Sequence, residues 1–237
     1  MATLEEIRDA IDDKLDDPSF VSATINSRIN EALQIVAGGV MMLDGSISPP
    51  LPGLFASDTV TTSTTLPYKA LPADYQRAVF QVYDSSDYRV HHVEGGDYYS
   101  FGLFMKTAIK KDLSLPGMIT IACVKGSNLY YQGIPTATVD LTVQYYRVPA
   151  TLADNDDVPE GLPAHLAKDI LRHYVLKEIF GDLIEDGEDS KGSAAAYHEK
   201  KFFEVMLTMI RSMPEGDEEP EFYGSNSGST YDRDEDW

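Results

Sequence analysis

The side chains able to do chemistry in this 237-residue chain are His91, His92, His165, His173 and His198, a lone Cys123, and an acidic run from Asp154 to Asp157. Adjacent His91 and His92 fall in a strand-like stretch, where neighbours point to opposite faces, so the pair does not converge on one ion. His165 and His173 stand eight apart, about two helical turns, too distant to share a metal, and read as polar positions on a helix face. The run Asp154, Asn155, Asp156, Asp157 has the composition of a calcium loop without its D-x-[DN]-x-[DN]-G order or the closing Glu, and reads as a solvated turn. A nucleophile in G-x-S-x-G, a phosphate loop G-x-x-x-x-G-K-[ST] and a zincin helix H-E-x-x-H are all absent from the sequence. Gly38-Gly39 and Gly95-Gly96 read as a helix end and a hairpin turn rather than phosphate cradles. Glycoside hydrolysis needs two positioned carboxylates, but among 39 acidic residues some pair always falls at a workable distance, so such a pair carries no information. The sequence nominates no catalytic residue, no metal ligand and no cofactor site.

Composition narrows the partners. Nineteen basic against 39 acidic residues give a formal charge of −20, and so acidic a surface repels phosphate, which argues against specific nucleic-acid binding. No apolar run approaches the roughly 18–20 residues of a membrane helix, and the acidic start MATLEEIRDAID is unlike a signal peptide, so assembly in the cytosol is expected. A single cysteine closes no disulfide within the chain, and its apolar surroundings, Met118 to Val124, suit a small core residue.

The elements follow from periodicity. Thr3 and Glu6 form a capping box ahead of Leu4, Ile7, Ile11 and Leu15, which share one helical face. Asp17 and Pro18 suit the cap and first position of a second helix bearing Val21, Ile25, Ile29, Leu33, Val36 and Val40, ended by Gly38 and Gly39. The Gly-, Ser-, Pro- and Thr-rich stretch 44–65 is a loop feeding a sheet. Five or six antiparallel strands are expected at Thr59–Leu66, Arg77–Tyr83, Tyr88–Val93, Met118–Val124, Leu129–Gln132 and Ala137–Arg147. The segment Gly95 to Leu113 fits neither period and reads as an irregular excursion or a binding loop. Of the 14 tyrosines, Tyr130, Tyr131, Tyr145 and Tyr146 are placed to stack across strands.

The stretch from Val139 to Phe180 organises the rest. Val139, Leu141, Val143 and Tyr145 alternate onto one strand face, Pro149 ends the strand, the Asp run turns the chain, and Leu166, Ile170, Leu171, Tyr174, Val175 and Ile179 recur at helical spacing. A last helix spans 194–213. The predicted fold is α+β, with helices from both chain ends packed together around an antiparallel β-rich insertion, plus an extended C-terminal tail. Its parts are N-terminal helices (1–43), a β domain (44–149), a C-terminal helical pair completing the helical layer (150–213) and an acidic tail (214–237). That tail carries nine acidic residues against Arg233 alone and has too little apolar surface to order by itself. Its Phe222, Tyr223, Tyr231 and Trp237 are aromatic anchors suited to a partner's groove, with carboxylates meeting Lys or Arg.

Three motifs, in order, carry a resemblance to a known family: Ile29-Asn30 followed by Ala32; Leu71-Pro72-Ala73-Asp74-Tyr75 leading into a strand; and Tyr145-Tyr146-Arg147 with Pro149, the Asp turn, Pro163 and a helix bearing Tyr174. Together they resemble the adaptor, or head-to-tail connector, proteins of tailed bacteriophages. The resemblance implies a non-enzymatic virion protein of the phage neck, assembled in the host cytoplasm. It implies a ring of copies beneath the portal protein, about twelve if the ring matches the portal, closed by heterologous contacts. That ring would continue the DNA ejection channel and meet nozzle, stopper or tail proteins below, with Phe222, Tyr223, Tyr231 and Trp237 lying along the portal. The acidic excess fits a channel that DNA crosses without adhering. Two other readings remain: another tail component, such as a tail-tube or fibre-attachment protein, and an acidic cell-wall hydrolase. Long helices at both ends weigh against the tube protein, and the absence of a nameable acid pair against the hydrolase.

Overall fold

The computed structural model describes residues 2–15, 20–86, 89–93, 104–106, 112–185 and 191–213. It is an α+β fold in which four helices pack on one another and a seven-stranded sheet occupies the middle of the chain.

Helix α1 (Leu4–Leu15) buries Leu4, Ile7, Ile11 and Leu15, the four residues its spacing selects. Its capping box is reciprocal: Glu6 N donates to Thr3 Oγ1 at 3.3 Å, and Thr3 N to Glu6 Oε2 at 3.4 Å. Helix α2 (Ser22–Gly38) starts later than expected. Its cap is Val21, which offers no side-chain acceptor and is exposed. Asp17 and Pro18 lie outside the described residues. The helix ends at Gly39, whose φ of +107° favours glycine and where a Cβ would meet the Arg77 guanidinium and, at 2.8 Å, Ile47. Helices α3 (Ala167–Glu185) and α4 (Gly192–Ser212) lie side by side and complete the layer, with both N-terminal helices touching α3.

The strands are β1 (Phe55–Thr61), β2 (Tyr68–Ala70), β3 (Tyr75–Tyr83), β4 (Arg89–Val93), β5 (Ile121–Lys125), β6 (Asn128–Gln132) and β7 (Asp140–Arg147), in the order β1-β7-β3-β4-β5-β6-β2. Three register shifts along β3 against β7 bend the sheet, and its two outermost strands, β1 and β2, come into contact.

Three features differ from the sequence reading. β1 starts four and ends five residues earlier than expected, because it pairs with β7 from Phe55↔Tyr146 to Thr61↔Asp140 and ends where its partner begins. The residues after it form a turn in which Ser63 Oγ accepts from the backbone N of Thr65 and Leu66, and Tyr131 Oη donates to the Leu66 carbonyl at 3.0 Å. Strand β2 had no clear sequence signal, being three residues held by β6. Finally, β4 and β5 pair in parallel, His91↔Ile121 to Val93↔Cys123, while the other strand pairs are antiparallel. A parallel pair needs a long crossover, and residues 94–120 are that connection. The described part of the irregular segment includes Phe104, fully buried against Ile121 and Cys123; Tyr98, Tyr99 and Phe101 lie outside the described residues.

Two main cores result. One joins the helices and takes in Leu51, Leu54, Leu152 and Tyr146; the other fills the sheet and takes in Leu141, Val143 and Tyr145. Neighbouring Tyr145 and Tyr146 therefore belong to different cores, because successive strand residues face opposite ways.

Candidate functional site: the junction of helices and sheet

The sequence motifs quoted above meet at the end of β7. The Asn30 amide on α2 pairs with one residue's backbone at both ends: Leu152 N donates to Oδ1 at 2.7 Å, and Nδ2 donates to the Leu152 carbonyl at 3.0 Å. This ties the first motif to the third. Tyr145 Oη donates to Asp74 Oδ1 at 2.6 Å and Val148 N to the Asp74 carbonyl at 2.7 Å, tying the second motif to the same strand end. Burial and the Asp74 carboxylate raise the Tyr145 phenol far above its ordinary pKa, so it stays protonated and remains a donor. Arg147 forms an ion pair with Glu160 at 3.0 Å, and the same carboxylate accepts from Ala150 N at 3.2 Å; both hold Glu160 ionised by lowering its pKa.

Half-buried Arg77, on β3, reaches the helical layer. Its guanidinium donates to the carbonyls of Gly38 at 3.1 Å and Ser48 at 3.2 Å, while Gln76 Nε2 donates to the Gln34 carbonyl at 3.1 Å. These contacts fix the end of α2 onto the start of β3.

The acidic turn has a structural task beyond solvation. The carbonyls of Asp157 and Asn155 accept from Leu4 N at 2.8 Å and Glu5 N at 3.1 Å, so the turn supplies partners to the unpaired N–H groups that begin α1. Asp157 Oδ2 in turn accepts from Ala153 N at 2.6 Å and Asp154 N at 2.8 Å, which lowers its pKa and closes the turn.

Removing Asn30 should loosen this joint. Leu152 N and its carbonyl would lose their partners in a part-buried position, so Asn30→Ala is expected to lower unfolding free energy by about 2 kcal/mol, read from the urea midpoint. Asn30→Asp should keep one bond and fall between the two.

Of the five histidines, the structure brings together two that the sequence reading did not pair. His173 on α3 and His198 on α4 are both buried, with Nδ1 atoms 2.8 Å apart. They are 25 residues apart and on separate helices, but each lies on its helix's apolar stripe, beside Ile170 and Phe202 respectively; that placement was the available signal. His165 is exposed, and the side chains of His91 and His92 lie outside the described set. Among the described residues no group of three or more His, Cys, Asp or Glu could hold a metal ion. No described helix is long and apolar enough to cross a membrane. Cys123 is a buried core residue. Phe222, Tyr223, Tyr231 and Trp237 lie outside the described residues.

The arrangement is a mechanical joint: hydrogen bonds and an ion pair clamp a helical layer to a sheet, with no converging nucleophile, base or ion cage among the described groups. No match was found among curated proteins. A family model described as SU10 adaptor protein matches residues 2–227, nearly the whole chain, and includes all three motifs that meet at the joint. The chain belongs to the SU10 adaptor protein family, a family of phage head-to-tail adaptors.

Proposed function

We propose that the protein forms a homo-oligomeric ring beneath the portal, continues the DNA ejection channel, and hands it on to nozzle, stopper or tail proteins. The observation that carries this reading is the family match over residues 2–227, reinforced by a joint built for rigidity rather than for catalysis. In this reading the helical layer of residues 1–43 and 150–213 is one structural unit, the β domain of 44–149 a second, and the acidic tail of 214–237 a third that docks on the portal. Assembly takes place in the host cytoplasm, and no catalytic step, metal or cofactor is involved. A charge of −20 per copy keeps a wall in contact with DNA from binding it.

The test is mass photometry of intact portal rings mixed with the full-length chain. A portal complex carrying about twelve copies is expected. Intact portal with no added mass at micromolar protein would overturn the proposal. The tail is tested separately by deleting residues 215–237, which should leave the melting temperature unchanged while weakening portal attachment through loss of Phe222, Tyr223, Tyr231 and Trp237. A truncated chain that binds portal as tightly as the full chain would remove the tail from the interface. The family match reaches residue 227 and so includes Phe222 and Tyr223 but neither Tyr231 nor Trp237. Phe222→Ala with Tyr223→Ala is therefore the more incisive pair.

A further inference from the structure

Helix α4 is the last element before the tail, and its polar side chains bond within the helix. Lys200 and Lys201 pair with Glu204, Thr208 Oγ1 donates to the Glu204 carbonyl, and Ser212 Oγ donates to the Met209 carbonyl. Among the described residues one hydrogen bond joins α4 to the rest of the chain, the 2.8 Å contact between His198 Nδ1 and His173 Nδ1 on α3. The other contacts are packing: Phe202, Met206 and Met209 are buried, Phe202 meets Tyr174 edge-on, Phe180 stacks on the His198 ring, and Lys177 and Lys191 lie over the rings of Phe202 and Phe180. Helix α3 is held otherwise. Both α1 and α2 pack on it, and Arg28 of α2 forms an ion pair with Asp182 at 2.7 Å; these ties do not involve α4.

The joining bond requires one proton between the two Nδ1 atoms. His173 Nε2 faces Arg172 Nη2 at 3.2 Å, a group that only donates, which leaves His173 Nδ1 to donate and His198 Nδ1 to accept. A further proton on His198 sets two N–H groups facing each other across 2.8 Å, and one on His173 Nε2 does the same against Arg172. Either proton also places a charge on a ring that is less than a tenth exposed, where water does not solvate it. The groups that face the pair are Arg172 and Asp169 on α3, Lys201, Glu204 and the Tyr197 ring on α4, and Lys14 on α1. Three cations thus stand against two carboxylates, and the Glu204 carboxylate is already tied to Lys201 at 2.7 Å.

We propose that the His173–His198 pair is a proton-operated latch: with one shared proton it seats α4 on α3, and a further proton releases α4 as a unit, together with the root of residues 214–237, while α1, α2, α3 and the sheet stay folded. Once α4 has left, each imidazole reaches water and titrates near its ordinary pKa of about 6.5, so acid draws the equilibrium toward the released state. A terminal helix joined to the body along one side is the kind of segment that opens separately from the rest of a fold. The latch puts the position of the acidic tail under the control of pH. It stands on the contacts of α4 and is independent of the ring reading above.

The experiment is amide hydrogen exchange of the full-length chain at pH 7.5 and pH 5, with each rate divided by the intrinsic rate of that amide at the same pH. The reference is β7, which is paired on both sides by β1 and β3. Amides of α4 are expected to share one level of protection, below that of β7 at both pH values, and to lose at least about tenfold of it between pH 7.5 and 5. In His173→Leu with His198→Leu that loss should vanish. His198→Asn, whose Oδ1 takes the place of the accepting Nδ1, is the milder arm and keeps the test open if the double variant does not fold; it should hold α4 at pH 7.5 and lose less protection than the native chain at pH 5. Equal protection of α4 and β7 at both pH values would mean that α4 leaves only when the whole chain unfolds, and would overturn the inference. So would native α4 protection that is the same at pH 7.5 and 5, or a loss of native size in either variant.

Discussion

Acidification from pH 7.5 to 5 is expected to lower the stability of the protein by on the order of 2 kcal/mol through His173 and His198 alone. Burial is the first cause, aided at both by the positive charge of Arg172, and it lowers the His173 pKa to about 4 and that of His198 below its ordinary value. His173 Nε2 lies 3.2 Å from Arg172 Nη2, a group that only donates, so this nitrogen accepts and the proton sits on Nδ1, donated to His198 Nδ1. A proton added to either accepting nitrogen would break one of these bonds.

The surrounding charges act in the same sense on balance. Arg172 on α3, Lys201 on α4 and Lys14 on α1 oppose the added proton, while Asp169 on α3 favours it, and neutral Tyr197 and Phe180 pack against the rings. The folded chain thus holds both imidazoles neutral where the unfolded chain protonates near pH 6.5. Their stabilisation is complete above about 6.5 and is lost progressively as pH falls to about 4. Carboxylates with lowered pKa, such as Glu160 and Asp157, lose their contribution only at lower pH, which separates the two effects. Urea unfolding at stepped pH should show the fall between 6.5 and 5 in the native chain and its absence in His173→Leu with His198→Leu. A double variant with the native slope would assign the pH dependence elsewhere.

The second large effect is expected at Tyr146. Its ring is 4% exposed, lies in the helical core and meets Phe55 edge-on with centroids 5.9 Å apart. Tyr146→Ala opens a cavity where strand and helices join and should cost about 3–5 kcal/mol. Its neighbour is the control. Tyr145 keeps its ring in the sheet core in Tyr145→Phe and loses only the bond to Asp74, an exposed residue that water can satisfy, for a cost of about 1 kcal/mol. Chemical denaturation of the two variants should therefore differ severalfold in the stability lost, although they change adjacent residues of one strand. Equal losses would mean that β7 does not divide the two cores as described.

Much of the local structure was legible in the residues themselves. The capping box at Thr3 and Glu6, the stripe Leu4, Ile7, Ile11, Leu15, the helix end at Gly39 and the inward face Leu141, Val143, Tyr145 follow from propensity, capping and periodicity, which act within a few residues of chain. The family was legible too, because an ordered set of short motifs survives as sequence.

Long-range pairing was decided by the tertiary structure. No local rule tells that β4 runs parallel to β5, that a three-residue β2 exists, or that β1 stops at Thr61, because each depends on a partner strand far along the chain. The same holds for Asn30 reaching Leu152 across 122 residues, and for the Asp turn whose carbonyls cap a helix about 150 positions earlier. His173 and His198 look like two unrelated helix positions until α3 and α4 pack and bury both rings together. Side-chain type and spacing set what each segment prefers to be; burial and hydrogen-bond satisfaction, which exist only once distant segments meet, set what each polar group does there.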